Sequence, residues 1–191
     1  MVKRALTSTP VHEFIAERWS PRSFDTDAVI SDEAILGLIE AARWAPSAMN
    51  AQPWRFAVAK RGSTEFETYV AALNPGNAAW AHRASALIVA ATHTMMQPEQ
   101  RNPWAEYDLG LAVSLLTVQA HATGWHVHQM GGFDRAAIRS ALSLPAELEP
   151  TVILAIGSIG EPEQLQGPLY DREISPRERK PLDEIVIAGL D

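Results

Sequence analysis

The chain has 191 residues, a net charge of -7 at neutral pH and no cysteine. That length suits one domain with a sizeable core, and the absence of thiols excludes disulfides and thiolate metal sites, in keeping with a cytoplasmic setting. The acidic balance argues against broad binding to nucleic acid or anionic membrane, and no stretch has the roughly 18 apolar residues of a membrane span or the apolar run of a signal peptide, so a soluble protein is expected.

In chain order, Thr9 and Pro10 read as the cap and first residue of a short helix closing near Arg18, with Val11, Phe14 and Ile15 as its apolar stripe. Ser31 caps a second helix carrying Ile35, Leu38, Ile39 and Ala42 at helical spacing, which Pro46 ends. Strands are expected at Trp54 to Lys60, Leu87 to Ala91, Trp125 to Met130 and Val152 to Gly157, and helices at Thr64 to Leu73 and Arg135 to Leu142. The longest helix runs from about Trp104 to Thr123 and stops at Gly124. Its apolar residues spread over every face, so it must be buried on most sides, and a second copy of the chain is expected to cover part of it. Beyond Gly160 four prolines and many charges predict an extended arm. Alternating strands and helices place the chain in an α/β or α+β sandwich, helices layered on a sheet.

Four stretches carry chemistry. Arg18-Trp19-Ser20-Pro21-Arg22 sets two guanidinium groups and a hydroxyl around a turn, since Pro21 keeps Ser20 out of the helical region. Planar forks of this kind match phosphate oxygens in pairs; the plainer alternative is a solvated pair balanced by Glu17, Asp25 and Asp27. Arg177, Arg179 and Lys180 form a second basic knot in the arm. The loop Pro46-Ser47-Ala48-Met49-Asn50-Ala51-Gln52-Pro53-Trp54 offers side-chain donors and acceptors suited to a heterocycle edge, although Ser47 and Asn50 could equally serve the local turn. In Gln129-Met130-Gly131-Gly132-Phe133, between a strand and the helix capped by Asp134, the glycines let backbone amides approach a ligand or simply make the turn.

These stretches, in this order and followed by Arg179-Lys180-Pro181-Leu182-Asp183-Glu184-Ile185, resemble the nitroreductase family of flavin enzymes. The resemblance implies an α+β three-layer sandwich with a central mixed or antiparallel sheet, and a long central helix at the interface of a homodimer. It also implies a C-terminal arm from about residue 160 that embraces the partner, and one FMN in each interfacial cleft. Carried over residue by residue, Arg18, Trp19 (mainly by its backbone), Ser20 and Arg22 would hold the phosphate and pyrimidine side. Arg177 and Arg179 would reach the phosphate from the tail. Asn50 and Gln52 would lie near the ribityl chain or ring edge, Pro46 and Ser47 would touch the partner's flavin, and Gln129, Met130, Gly131 and Gly132 would line the ring. Trp19 stands where relatives often have a basic residue, and the lid insertion of larger members is reduced to Thr94 to Arg101.

The activity so implied is a ping-pong reduction of a small acceptor, a nitroaromatic, quinone or activated alkene, at the expense of NADH or NADPH, with no side chain obliged to act as acid or base. The alternatives are a flavin-binding module without turnover and a dehalogenating or flavin-cleaving relative. His126 and His128, two apart on a strand, could join His121 around zinc, though half-buried histidines are common. Glu106 and Asp108 do not share a helix face, which excludes a paired-carboxylate site and leaves them to cap or salt-link the dimer seam. No Gly-x-Gly-x-x-Gly turn or Walker loop is present.

Overall fold

The computed structural model describes residues 3–189. Helix α1 (Glu13–Glu17) starts later than expected: His12 Nδ1 accepts from the Phe14 amide in the capping role, while residues 5–9 run beside the C-terminal arm and line a cavity with it. Helix α2 (Asp32–Arg43) opens at Ser31, whose Oγ accepts from the Ala34 amide at 3.1 Å, and buries Ile35, Leu38 and Ala42. Strand β1 (Trp54–Lys60) follows, then α3 (Thr64–Ala72), α4 (Pro75–Ala81), β2 (Ala86–His93), a hairpin of β3 (Met95–Gln97) and β4 (Gln100–Arg101), α5 (Ala105–Ala122), β5 (His126–Met130), α6 (Arg135–Ala141), β6 (Leu148–Gly157) and α7 (Pro168–Ile174). No helix among the described residues is long and apolar enough to cross a membrane.

The main sheet has the order β1-β2-β6-β5 and is antiparallel throughout. Central β2 is buried along almost its whole length, so both its faces are apolar. On one face Ile88 and Ala90 pack with α2 and α5 residues such as Leu38, Leu109 and Leu116. On the other, Leu87 and Val89 pack with Phe66, Trp80 and Ile138 from α3, α4 and α6. The result is the expected three-layer α+β sandwich.

Helix α5 ends as its sequence predicts. Gly124 takes φ 82°, its amide reaches the His121 carbonyl, and the Trp125 amide returns to Ala120 at 2.8 Å, the paired bonds of a Schellman cap. Only part of its surface is covered, however: Tyr107 and Leu115 are exposed, with half-buried Leu111 and Val118 along the same stripe. The segment after Gly160 is not extended throughout. Leu165, Leu169 and Tyr170 pack on the core and α7 forms between Pro168 and Ile174, so its first half folds on its own chain. From Pro176 to Gly189 it is almost wholly exposed.

Candidate functional site

The turn after α1 begins with Arg18 in an extended conformation, φ -61° and ψ 124°, and is fastened from several directions. Ser23 and Phe24 are completely buried, Phe24 bridges Ile159 beyond β6, and Ser23 Oγ donates to the Glu161 carbonyl at 2.5 Å. Gly160 permits this approach, since a Cβ there would lie 2.7 Å from Phe24 backbone. Trp19 is buried, with the Lys3 ammonium 4.6 Å from its ring centroid, so its side chain is structural and only its backbone can serve the turn.

The turn and the C-terminal segment enclose a cleft of about 260 Å³ whose charged lining is six cations, Lys3, Arg18, Arg22, Arg172, Arg177 and Arg179, against one carboxylate, Glu178. Glu17, one proposed counter-ion, pairs with Arg4 at 2.7 Å instead, and Asp25 accepts from the Asp27 amide. Among the described residues neither Arg18 nor Arg22 is within salt-bridge distance of a carboxylate. Burial, and then the charges of Arg177 and Arg179, pull Arg18 below the ordinary arginine value; burial also lowers Arg22, with Glu173 opposing and Arg172 adding to it. These groups crowd one another and are stabilised by an incoming anion.

The members differ in what they have left to offer. Arg177 is spent on the carbonyls of Lys3 and Ala16 at 2.9 and 2.6 Å and pins the N-terminal segment down. Lys180 pairs with Glu184 at 3.2 Å on the exposed tail, the solvated arrangement. Arg18 Nη1 donates to Ser20 Oγ at 3.3 Å, which joins the first and third residues of the motif.

Arg18 also lines a second cleft, of about 410 Å³, with Ile15, Ser114, Thr117, Val118 and Gln129. Gln129 points toward α5, its Nε2 3.4 Å from Thr117 Oγ1. Met130 faces the opposite side of the strand and is buried in the core, so its side chain is unavailable to a ligand and only its backbone remains. Gly131 has open space where a Cβ would stand, as ligand approach requires. Gly132 is a glycine for a different reason: a Cβ would lie 2.9 Å from Asn74 Nδ2, and its carbonyl accepts from the Asn74 amide and Asn77 Nδ2. The two asparagines are outside the sequence reading, although Asn74-Pro75 is a helix-start signal that could have located α4.

The Pro46 to Gln52 loop is strained and exposed. Met49, Asn50 and Gln52 have φ of 51°, 56° and 46°, and Met49 is 88% exposed. Ser47 Oγ accepts from the Gln52 amide at 3.1 Å, the local turn bond, and Asp108 Oδ2 accepts from the Ala48 amide at 3.1 Å. Asp108 is thus a buried loop anchor rather than a salt link. Neither cleft is lined by Pro46, Ser47, Asn50 or Gln52 in the single chain.

The histidines do not assemble. His128 Nδ1 is 2.9 Å from the Pro21 carbonyl and its ring packs at a tilt with its centroid 4.5 Å from that of Trp80, while His126 packs 5.5 Å from His121. Burial above all lowers His126 and His128 to about 4, and no group able to hold a metal occurs among the described residues.

Comparison with known proteins follows the same lines. An uncharacterised 15.4 kDa protein of Mycolicibacterium smegmatis is 31% identical over 143 residues, covering 71% of this chain and 95% of its own. YdgI of Bacillus subtilis (strain 168), provisionally named an NAD(P)H nitroreductase, is 28% identical over 186 residues, covering 78% and 88%. A solved oxidoreductase containing FMN superposes with a TM-score of 0.91 at 34% identity, over 97% of this chain and 95% of its own. Residues 15–158 match the model of the nitroreductase family, and with four motifs, fold and relatives in agreement the chain belongs to that family.

Proposed function

We propose that the chain is an FMN-dependent oxidoreductase that uses NADH or NADPH to reduce a small organic acceptor. The observation that carries this is the six-cation cleft, whose Arg18 and Arg22 lack carboxylate partners among the described residues and which meets a second cleft at Arg18. One recess suits a phosphate dianion and the other a flat ring system. Arg18, Ser20, Arg22 and Arg179 would hold the phosphate, with Trp19 backbone and Arg177 shaping its surroundings. Gln129 and the backbone of Met130, Gly131 and Gly132 would face the ring. Support also comes from the FMN of the structural relative and from the name of YdgI.

Bound FMN would supply hydride transfer, from nicotinamide to flavin N5 and then to a nitroaromatic, quinone or activated alkene in a second half-reaction. The chain's own part is orientation and charge. Arg18 and Arg22 lie half-buried, where positive charge favours an anionic ligand more strongly than in bulk water.

The site is completed by a second copy of the chain. Pro46, Ser47, Asn50 and Gln52 line neither cleft of their own chain, whereas the exposed Tyr107 and Leu115 stripe suits a symmetric helix-to-helix interface that would deliver each loop to the other cleft. The exposed arm after Pro176 would pack on the same partner.

The test is the visible spectrum of purified protein, release and identification of its chromophore, and anaerobic titration with NADH and NADPH. Flavin absorbance bleached by nicotinamide and restored by an acceptor is the expected outcome. Protein that takes up no FMN overturns the proposal; a yellow protein that no nicotinamide bleaches retains the cofactor and loses the reaction.

A further inference from the structure

Glu173 is an acidic residue at the heart of a cationic cluster, with 1% of its surface exposed. Simple electrostatics would give it an arginine fork as partner. Instead Oε1 accepts from the amides of both Arg22 and Ser23 at 3.0 Å, and Oε2 accepts from the Arg22 amide at 3.0 Å. No Lys or Arg among the described residues is within salt-bridge distance of it, and Lys3 Nζ donates to its backbone carbonyl at 2.6 Å. The carboxylate therefore restrains the main chain at the very residue whose guanidinium is free to meet an anion.

We propose that Glu173 is a positioning residue for the phosphate end of the cleft, holding the Arg22–Ser23 backbone so that the Arg22 side chain projects toward the ligand; this rests on the FMN reading above. Two features make it an effective clamp. Helix α7, which bears it, is seated on the core through Leu169 and Tyr170, so the carboxylate is presented from a fixed support. The opposite side of the turn is held by the Gly160 amide on the Ser23 carbonyl at 2.9 Å. Gripped from both sides, the turn cannot swing, and its Arg22 and Ser23 amides, already occupied, leave anion recognition to side chains.

This role makes a separable prediction, because riboflavin has the ring of FMN without its phosphate. Dissociation constants for FMN and riboflavin are measured by fluorescence on the flavin-stripped full chain, for the wild type, Glu173→Ala and Glu173→Gln. Removing the clamp in Glu173→Ala is expected to weaken FMN about tenfold or more, with riboflavin altered less than about twofold. Glu173→Gln should keep most of the FMN preference, since one amide oxygen can still accept from both backbone groups.

Parallel loss of both flavins in Glu173→Ala would mean a merely structural role and overturn the inference. Tighter FMN binding in both variants would mark Glu173 as an opposing charge and overturn it equally. Should Glu173→Ala fail to fold, Glu173→Asp, which withdraws the carboxylate by one methylene, must lower the FMN-to-riboflavin preference or the inference falls. Wild-type protein that binds neither flavin removes the FMN reading and this one together, whereas an FMN preference unchanged in Glu173→Ala removes this one alone.

Discussion

Arg22 carries the most direct prediction at the scale of single residues. Its guanidinium has no carboxylate partner among the described residues and lines the cation-rich cleft, so Arg22→Ala is expected to weaken FMN by about 1.5 to 3 kcal/mol, the worth of a charge-assisted hydrogen bond. Equilibrium dialysis checks it. The spacing of Arg18 and Arg22 was legible because it is local. Glu173 was not, because the group it restrains lies 151 residues away and no short pattern announces a carboxylate turned toward backbone amides. His126 and His128 provide a second prediction. Both titrate near 4 in the folded chain, below the ordinary value of 6.5, so the unfolded chain binds more protons between those limits. Their contribution to stability is complete above about pH 6.5 and is lost as pH falls toward 4. Calorimetry should show Tm falling from pH 7 to pH 5, with a shallower fall in His128→Gln.

The secondary-structure elements show where local pattern suffices. Helix α2 with its Ser31 cap, helix α5 with its Gly124 stop and strands β1, β2 and β5 all emerge close to their expected limits, because capping residues and β-branched runs act over a few positions, whereas β6 begins at Leu148, four residues before the expected Val152, and continues through Pro150. Helix α4 is outside the sequence reading, since Pro75 and Gly76 are common in turns although proline also begins helices. Helix α7 was hidden among prolines and charges, and only its packing on the core reveals Leu169 and Tyr170 as an apolar face. The short segment from Thr94 to Arg101 holds the Met95–Arg101 hairpin, at whose turn Glu99 takes the left-handed conformation, φ 65°. Gly124→Ala tests the α5 stop: strain at φ 82° should cost about 1 kcal/mol in urea unfolding. Asp108→Ala should free the Ala48 amide and speed hydrogen exchange in the Pro46 to Gln52 loop.

For the whole molecule the open question is what covers α5. The spread of apolar residues over every face predicts burial on most sides, and one chain buries chiefly the side facing the sheet and α2. The uncovered stripe through Tyr107 and Leu115, together with exposed Trp44, Met49 and Trp104, leaves several large apolar side chains open to solvent, as an interaction surface does. Light scattering is expected to give twice the 20.9 kDa of the chain, and Leu115→Glu to shift the population toward monomer with loss of retained flavin. Retained flavin in a fully monomeric variant would place the whole site within one subunit.

The bond from Glu173 to the Arg22 amide also orders events during synthesis. The two residues leave the ribosome 151 positions apart, an interval of roughly 8 to 30 s at ordinary elongation rates. Throughout that interval the nascent polypeptide holds its basic turn without the support that shapes it. On the proposed reading, loading of a phosphorylated ligand would wait until α7 has been made, and a product truncated ahead of α7 would keep every strand of the sheet and still lack the Glu173 contact.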